Sequence, residues 1–362
     1  MITVGDVFDC IDRFAPFDRA ADFDNPGLLA GERDQEARGV LVSLDMTDAA
    51  LDEARERGAN LLVTHHPIIF HPLKKLSGKG LLCRMVREEM AVICAHTNLD
   101  VAPEGVSKAI VDALALREVV PLEVTYQEHY HKIVVFVPRE QEGAVYDAMT
   151  AAGAGTLGGY SGCAFVGEGT GCFLPGEGSH PAVGRPGCHQ EVAEVRLEMI
   201  CPRRLTKQVV KAMLEAHPYE LPAYDIFEDK GIAQVGGFGG IGSLIHPMSG
   251  HQLASYVKGR LGCGGVRYYA GPGTVSRVAF CGGSGGNYVE LAAAKGAQAL
   301  VTGDVKHDQF LLARELGLTL IDAGHFATEN PVLPALARVI REAFPALPVQ
   351  VARSSVDTVS YL

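Results

Sequence analysis

Residues 39–44 (GVLVSL) and 60–64 (NLLVT) are short, continuous apolar runs, the pattern of strands buried on both faces. Between them, 48–57 (DAALDEARER) carries apolar residues at helical spacing and stops at Gly58. A helix over 80–90 and a strand over 91–95 (AVICA) continue the alternation, so residues 1–125 predict an α/β domain. The pattern then changes. A strand at 130–138, a helix at 141–152, a glycine-rich hairpin near 153–173, a strand at 194–200, a helix at 202–216 and a strand at 223–227 predict a ferredoxin-like β-α-β-β-α-β insert over 126–231.

The α/β rhythm returns over 232–362 and carries a faint repeat. Residues 277–296 (RVAFCGGSGGNYVELAAAKG) parallel 39–58 (GVLVSLDMTDAALDEARERG), and 296–305 (GAQALVTGDV) parallel 58–67 (GANLLVTHHP), both at an offset of 238 with Thr302 matching Thr64. The expected fold is therefore a discontinuous α/β core, 1–125 and 232–362, of two similar halves, interrupted by the α+β insert. Repeated halves place a site where equivalent strand ends converge.

Composition narrows the function classes. Hydrophobic residues make up 47% and charged residues 21%, an ordinary globular balance. A net charge of −11 argues against nonspecific nucleic-acid binding as the default. No apolar run reaches the roughly 20 residues of a membrane helix, and MITVGDVFDC lacks the features of a signal peptide. Nine scattered cysteines without a C-x-x-C pair suit reduced thiols in a cytoplasm.

Three segments put metal-type ligands where strands end: VTHHP (63–67), AHTNLD (95–100) and IDAGHFATEN (321–330). His325 and Glu329, spaced i,i+4, share one face of a helix starting near Gly324. Neighbouring His65 and His66 point in divergent directions from a strand end, each toward a different ion. A carboxylate such as Glu329 can bridge two ions set about 3.5–4 Å apart. The expected arrangement is His66 with Asp100 on one metal and His65 with His325 on the other, Glu329 lying between. Nitrogen and carboxylate donors suit Zn²⁺, Fe²⁺, Mn²⁺ or Co²⁺. The residue types equally fit buried hydrogen-bonded histidines with Asp100 as a helix cap. Asp45, His96, Asp304 and His307 are further candidates, as orienters of the histidines or as proton-transfer groups; Asp304 and His307 are the preferred catalytic pair.

Two glycine loops stand apart. GFGGIG (237–242) fits the dinucleotide pattern, but no helix start follows it. CGGSGGN (281–287) follows a strand and opens a helix, so its backbone amides are a candidate phosphate cradle, with a tight turn as the plainer alternative.

These segments together closely resemble the Nif-three-like dinuclear metal-centre family, also named GTP cyclohydrolase I type 2 homologues. The resemblance rests on DNPGLLAG (24–31), THHPIIF (64–70), HTNLD (96–100), TGDVKHD (302–308) and DAGHFATE (322–329), and on GTGCFLPGEGSHPAVG (169–184) and HPYELPAYDI (217–226) in the insert. It implies a two-metal site with ligands at His65, His66, Asp100, His325 and Glu329, two divalent ions per chain with zinc foremost, and an insert similar to trimeric nitrogen-regulator-like folds. It further implies a homohexameric ring, a dimer of trimers. The chain departs from the family's pattern at Phe23, commonly Trp, at Leu221, commonly Glu, and at Gly240, often Arg.

Two functions compete at this level. One is a metal-dependent hydrolase acting on a nucleotide or phosphoester, with ring opening of GTP suggested by the family name alone. The other is a non-enzymatic metal-binding ring for delivery, storage or regulation.

Overall fold

The computed structural model describes residues 1–362 apart from residues 232 and 233. The chain forms two compact units, 1–126 with 236–362, and 127–235.

In the first unit, β1 (Gly27–Ala30), β2 (Val40–Ser43), β3 (Leu61–Thr64) and β4 (Ala91–Cys94) form a sheet of order β1-β4-β3-β2. Strands β2, β3 and β4 are parallel, and β1 runs antiparallel along the edge. The helix Asp48–Glu56 links β2 to β3. Thr47 caps it by accepting the Ala50 amide, Ala50, Leu51 and Ala54 face the core, and the chain leaves through Gly58 at φ +70°.

The chain crosses into the second unit within β5 (Arg117–Pro138) and returns within β8 (Tyr224–Ser249). Between them lie the helix Glu142–Ala151, β6 (Ala164–Phe173), β7 (Gln190–Pro202) and the helix Thr206–Ala216. The second unit therefore has the ferredoxin-like β-α-β-β-α-β order, with its strands arranged β6-β7-β5-β8. Ile133, Val135, Leu197 and Met199 form its core with Val145, Met149, Val209 and Met213 from the two helices. The sequence ended a strand near 227, whereas β8 continues unbroken to Ser249. GFGGIG lies within β8, paired antiparallel to the next long strand, and opens no helix.

Back in the first unit, β9 (Arg267–Tyr269), β10 (Thr274–Ser284), β11 (Ala299–Gly303) and β12 (Thr319–Asp322) join β8 in the order β8-β10-β11-β12-β9. Here β10, β11 and β12 are parallel, and β9 runs antiparallel beside β12. The final strand, β13 (Val349–Val351), pairs with β2.

The strands β1–β4 and β9–β12 thus correspond, as does their packing, while β13 runs parallel to β2 and β8 antiparallel to β10. Val42 and Val63, with their counterparts Phe280 and Val301, share the central core with Ile110, Val257, Leu336 and Ile340. Leu41 and Leu62 face Leu51 and Met85 on the outer side of one sheet. Their counterparts Ala279 and Leu300 face Val289 and Ala292 on the outer side of the other. Each fully buried Val or Leu contributes roughly 1.5–3 kcal/mol by leaving water. The alternation keeps both faces of β3 and β11 apolar, so polar side chains collect just beyond their carboxyl ends.

Candidate metal centre

Those ends meet. His65 and His66 follow β3, and Asp100 closes the short helix Thr97–Asp100 after β4. His325 and Glu329 open and close the helix His325–Glu329 after β12, and Asp304 follows β11. His96 to Asp100 and His325 to Glu329 have the same spacing after equivalent strands, so each half supplies an acid one helical turn beyond a histidine.

Each inward histidine is held by its Nδ1. His65 Nδ1 donates to the Ala95 carbonyl at 2.8 Å, His66 Nδ1 to Asp45 at 2.8 Å and His325 Nδ1 to Asp304 at 2.7 Å. Carbonyl and carboxylate oxygens only accept, so each Nδ1 carries the proton and each Nε2 presents a lone pair when the ring is neutral. The three Nε2 atoms converge on Glu329. His66 Nε2 and His325 Nε2 lie 2.9 and 3.0 Å from Glu329 Oε2 and 3.2 Å from each other. His65 Nε2 lies 3.7 Å from Glu329 Oε1 and 3.6 Å from Asp100 Oδ1. Both His65 Nε2 and Asp100 Oδ1 are buried with no hydrogen-bond partner.

Such a set of acceptors needs cations. Burial works against a charge on His66, but Asp45 and Glu329 outweigh it and raise its pKa to about 10. The same opposition at His325, with Glu329 and Asp304 raising it, gives about 9. Burial lifts Asp100 to about 6, whereas the surrounding histidines overcome burial at Glu329 and hold it well below the usual carboxylate range. Three donor groups result: His65, Asp100 and Glu329 around one point, His66, His325 and Glu329 around another, and an all-histidine group of His65, His66 and His96. The structure brings His65, His66, Asp100, His325 and Glu329 together, with His65 next to Asp100 and His66 next to His325 rather than in the expected pairing.

Asp45 and Asp304 are the orienting groups of His66 and His325. Asp304 adopts φ +52°, a left-handed conformation that costs a non-glycine residue roughly 1–3 kcal/mol. His307 does not line the cleft beside the centre; it lies in a shallow depression with Tyr269 and Arg314, and Arg267 borders both. That cleft has a volume of about 580 Å³ and is lined by Asp45, His66, Asp304, His325, Arg267 and Tyr361, among others.

In CGGSGGN two backbone amides are already used within the fold. The Gly283 amide donates to the Thr328 hydroxyl and the Gly285 amide to the Thr302 hydroxyl, and the following helix Val289–Ala294 is short. The loop instead makes room for the centre: a Cβ on Gly283 would stand 2.2 Å from Glu329 Oε1.

Asp24 supports the centre from a distant part of the chain. Its buried carboxylate accepts from His96 Nδ1 at 2.7 Å, from the Thr97 amide at 3.0 Å and from the Thr97 hydroxyl. His96 thereby turns toward His65 and His66, with ring centroids 5.2 and 5.7 Å away. Burial pushes the Asp24 pKa up, but the bonds from His96 and Thr97 prevail and hold it at about 2. A depressed carboxylate stabilises the fold above its unfolded pKa of about 3.9 and loses that contribution as pH falls toward the folded value. Asp24→Asn is therefore expected to cost about 2 kcal/mol at neutral pH, with the difference from wild type shrinking below about pH 4 in denaturant titrations.

The family model described as Duf34/NIF3 (NGG1p interacting factor 3) matches residues 2–359. The chain belongs to the Duf34/NIF3 family. Among curated relatives, a Bacillus subtilis protein named GTP cyclohydrolase 1 type 2 homolog is 38% identical over 330 residues, 89% of this chain and 87% of the relative. A Halalkalibacterium halodurans protein of the same name is 37% identical over 324 residues, 88% of this chain and 87% of the relative. The crystal structure of a Bacillus cereus protein related to NIF3 superimposes with a TM-score of 0.85 at 35% identity, covering 100% of both chains. As a Duf34/NIF3 protein, the chain carries two related α/β halves around a His/Asp/Glu cluster able to bind metal. No helix among its described residues is long and apolar enough to cross a membrane.

Proposed function

We propose that the centre holds two divalent metal ions and that the protein is a metal-dependent hydrolase of a nucleotide or phosphoester. The observation carrying this reading is the division of Glu329: Oε1 faces His65, whose Nε2 also faces Asp100, and Oε2 faces His66 and His325. The His/carboxylate donor set suits zinc, with iron, manganese and cobalt as alternatives. Bound ions would supply a water whose pKa is lowered from 15.7 to about 7 and polarise the scissile group.

The chain's own residues prepare that chemistry. Ala95, Asp45 and Asp304 fix the three imidazoles with Nε2 inward. His65 and Glu329 are buried, as is Asp100 Oδ1, while the partly exposed His66 and His325 border the cleft. Asp304 acts as a positioning residue through His325, and we assign His307 no part. All nine cysteines are unpaired, which supports a reducing, cytoplasmic setting. A homohexameric ring, implied by the family resemblance, completes the reading.

The test is turnover by metal-reconstituted protein across nucleotides and phosphoesters, with His65→Ala as control. Equal activity in that control would mean contamination, and metal binding without turnover by wild type would favour the metal-carrier alternative. The same variants check the two donor groups that share Glu329. His65→Ala should lose the ion beside Asp100 first, and His66→Ala the ion beside His325, each keeping about one ion per chain. Cobalt spectra of the two loaded variants should therefore differ; superimposable spectra would count against two separate groups.

A further inference from the structure

We propose that Arg267 is the specificity residue of the cleft, fixing an oxyanion on the part of the substrate that does not react. This assignment rests on the hydrolase reading for the word substrate, but its geometry is independent of the metals. Asp45, Asp304, Asp322 and Asp357 line the cleft together with His66 and His325 of the candidate centre, and Arg267 is the only Lys or Arg among the lining residues. In a chain of net charge −11, a permanently charged guanidinium beside those carboxylates is a selective feature.

Its guanidinium is held in place from behind. Nε donates to Asp322 Oδ2 at 3.1 Å, and Nη2 donates to the same oxygen and to the Val305 carbonyl at 2.7 Å. Asp322 is itself buried at the end of β12, and its carboxylate also accepts the Val305 and Gly324 amides. The guanidinium carbon further lies 5.7 Å from the centre of the Phe310 ring. Among the described residues Nη1 has no hydrogen-bond partner, while the side chain as a whole is 65% exposed. Asp322 thus consumes one edge of the fork and leaves the Nη1 hydrogens for an incoming oxyanion at little further entropic cost.

Asp322 lies three residues before His325, so one strand end positions both the candidate centre and the cation. A ligand spanning the cleft would meet the Glu329 cluster with one end and Nη1 with the other. A substrate carrying two anionic groups fits this better than a simple monoanion.

The experiment is calorimetric binding of pyrophosphate and of malonate to metal-loaded wild type, Arg267→Gln and Arg267→Lys, with metal content measured on each sample. Arg267→Gln should weaken at least one of the two anions about ten-fold or more at unchanged metal content, and Arg267→Lys should fall between. Loss confined to pyrophosphate identifies a phosphate, and loss confined to malonate a carboxylate. Wild type that binds neither anion, or Arg267→Gln that binds both as wild type does, overturns the proposal. Wild type without metal would sink the two-metal reading alone, because the anion comparison can still be made. Thermal melting of Arg267→Lys, which keeps a cation against Asp322, separates a folding defect from lost recognition.

Discussion

Glu329→Gln is expected to lose metal from both donor groups that share it at once, with affinity falling at least about 100-fold. Groups that merely orient a metal ligand typically matter by about 10–100-fold, and Glu329 stands between the two sets rather than behind one. Gln keeps the volume and one carbonyl oxygen, so the core around the helix His325–Glu329 should survive. What it removes is the negative charge shared by His65, His66 and His325, whose Nε2 atoms lie 2.9–3.7 Å from the Glu329 oxygens. His66 Nε2 and His325 Nε2 would still face each other at 3.2 Å, now with less reason to hold a cation between them. Metal content after dialysis, compared with wild type and with the one-sided variants His65→Ala and His66→Ala, checks this. Retention of two tightly bound ions by Glu329→Gln would remove the bridging role. Retention of one ion, matching either histidine variant, would reduce Glu329 to a ligand of a single site.

The contrast between what the sequence showed and what it hid has a physical basis. Buried parallel strands are continuous apolar runs, so β2, β3, β10 and β11 were legible, and the shared offset exposed their equivalence before any contact was known. Residues just past such strands are where polar groups can gather, which made His65, His66, Asp100, His325 and Glu329 recognisable. Alternation along β3 requires His65 and His66 to diverge, but it does not say which faces Asp100. That depends on how the two sheets pack through Ile110, Val257 and Leu336, a long-range fact. Asp24 was invisible for a related reason: its partners, His96 and Thr97, are more than seventy residues away in sequence. His307, only three residues beyond Asp304, lines a different depression from the cleft that Asp304 lines. The chain enters the helix His307–Glu315 immediately and carries that side chain out of the cleft. The loop CGGSGGN has two of its amides, those of Gly283 and Gly285, bonded to Thr328 and Thr302, partners that lie far along the chain.

That loop yields the second large effect. Gly283→Ala should lower metal affinity at least about ten-fold, an effect that strain alone does not produce. Gly283 has φ +59°, and a Cβ there would sit 2.2 Å from Glu329 Oε1 and 3.2 Å from His325 Nε2. No real Cβ tolerates the first distance. Either the loop or the carboxylate must move, and the loop is tethered by the Gly283 amide to Thr328 on the same helix as Glu329. Gly296→Ala provides the control. It also has positive φ, +76°, but nothing lies within 4 Å of its added Cβ. Both substitutions should cost about 1–2 kcal/mol for forcing an L side chain into the left-handed region. Only Gly283→Ala should also release metal, because only there does the methyl enter the space of Glu329. If the two variants bind metal alike, the close approach of this loop is a matter of folding and not of the centre. If Gly283→Ala alone loses it, glycine at 283 is required by the carboxylate it faces.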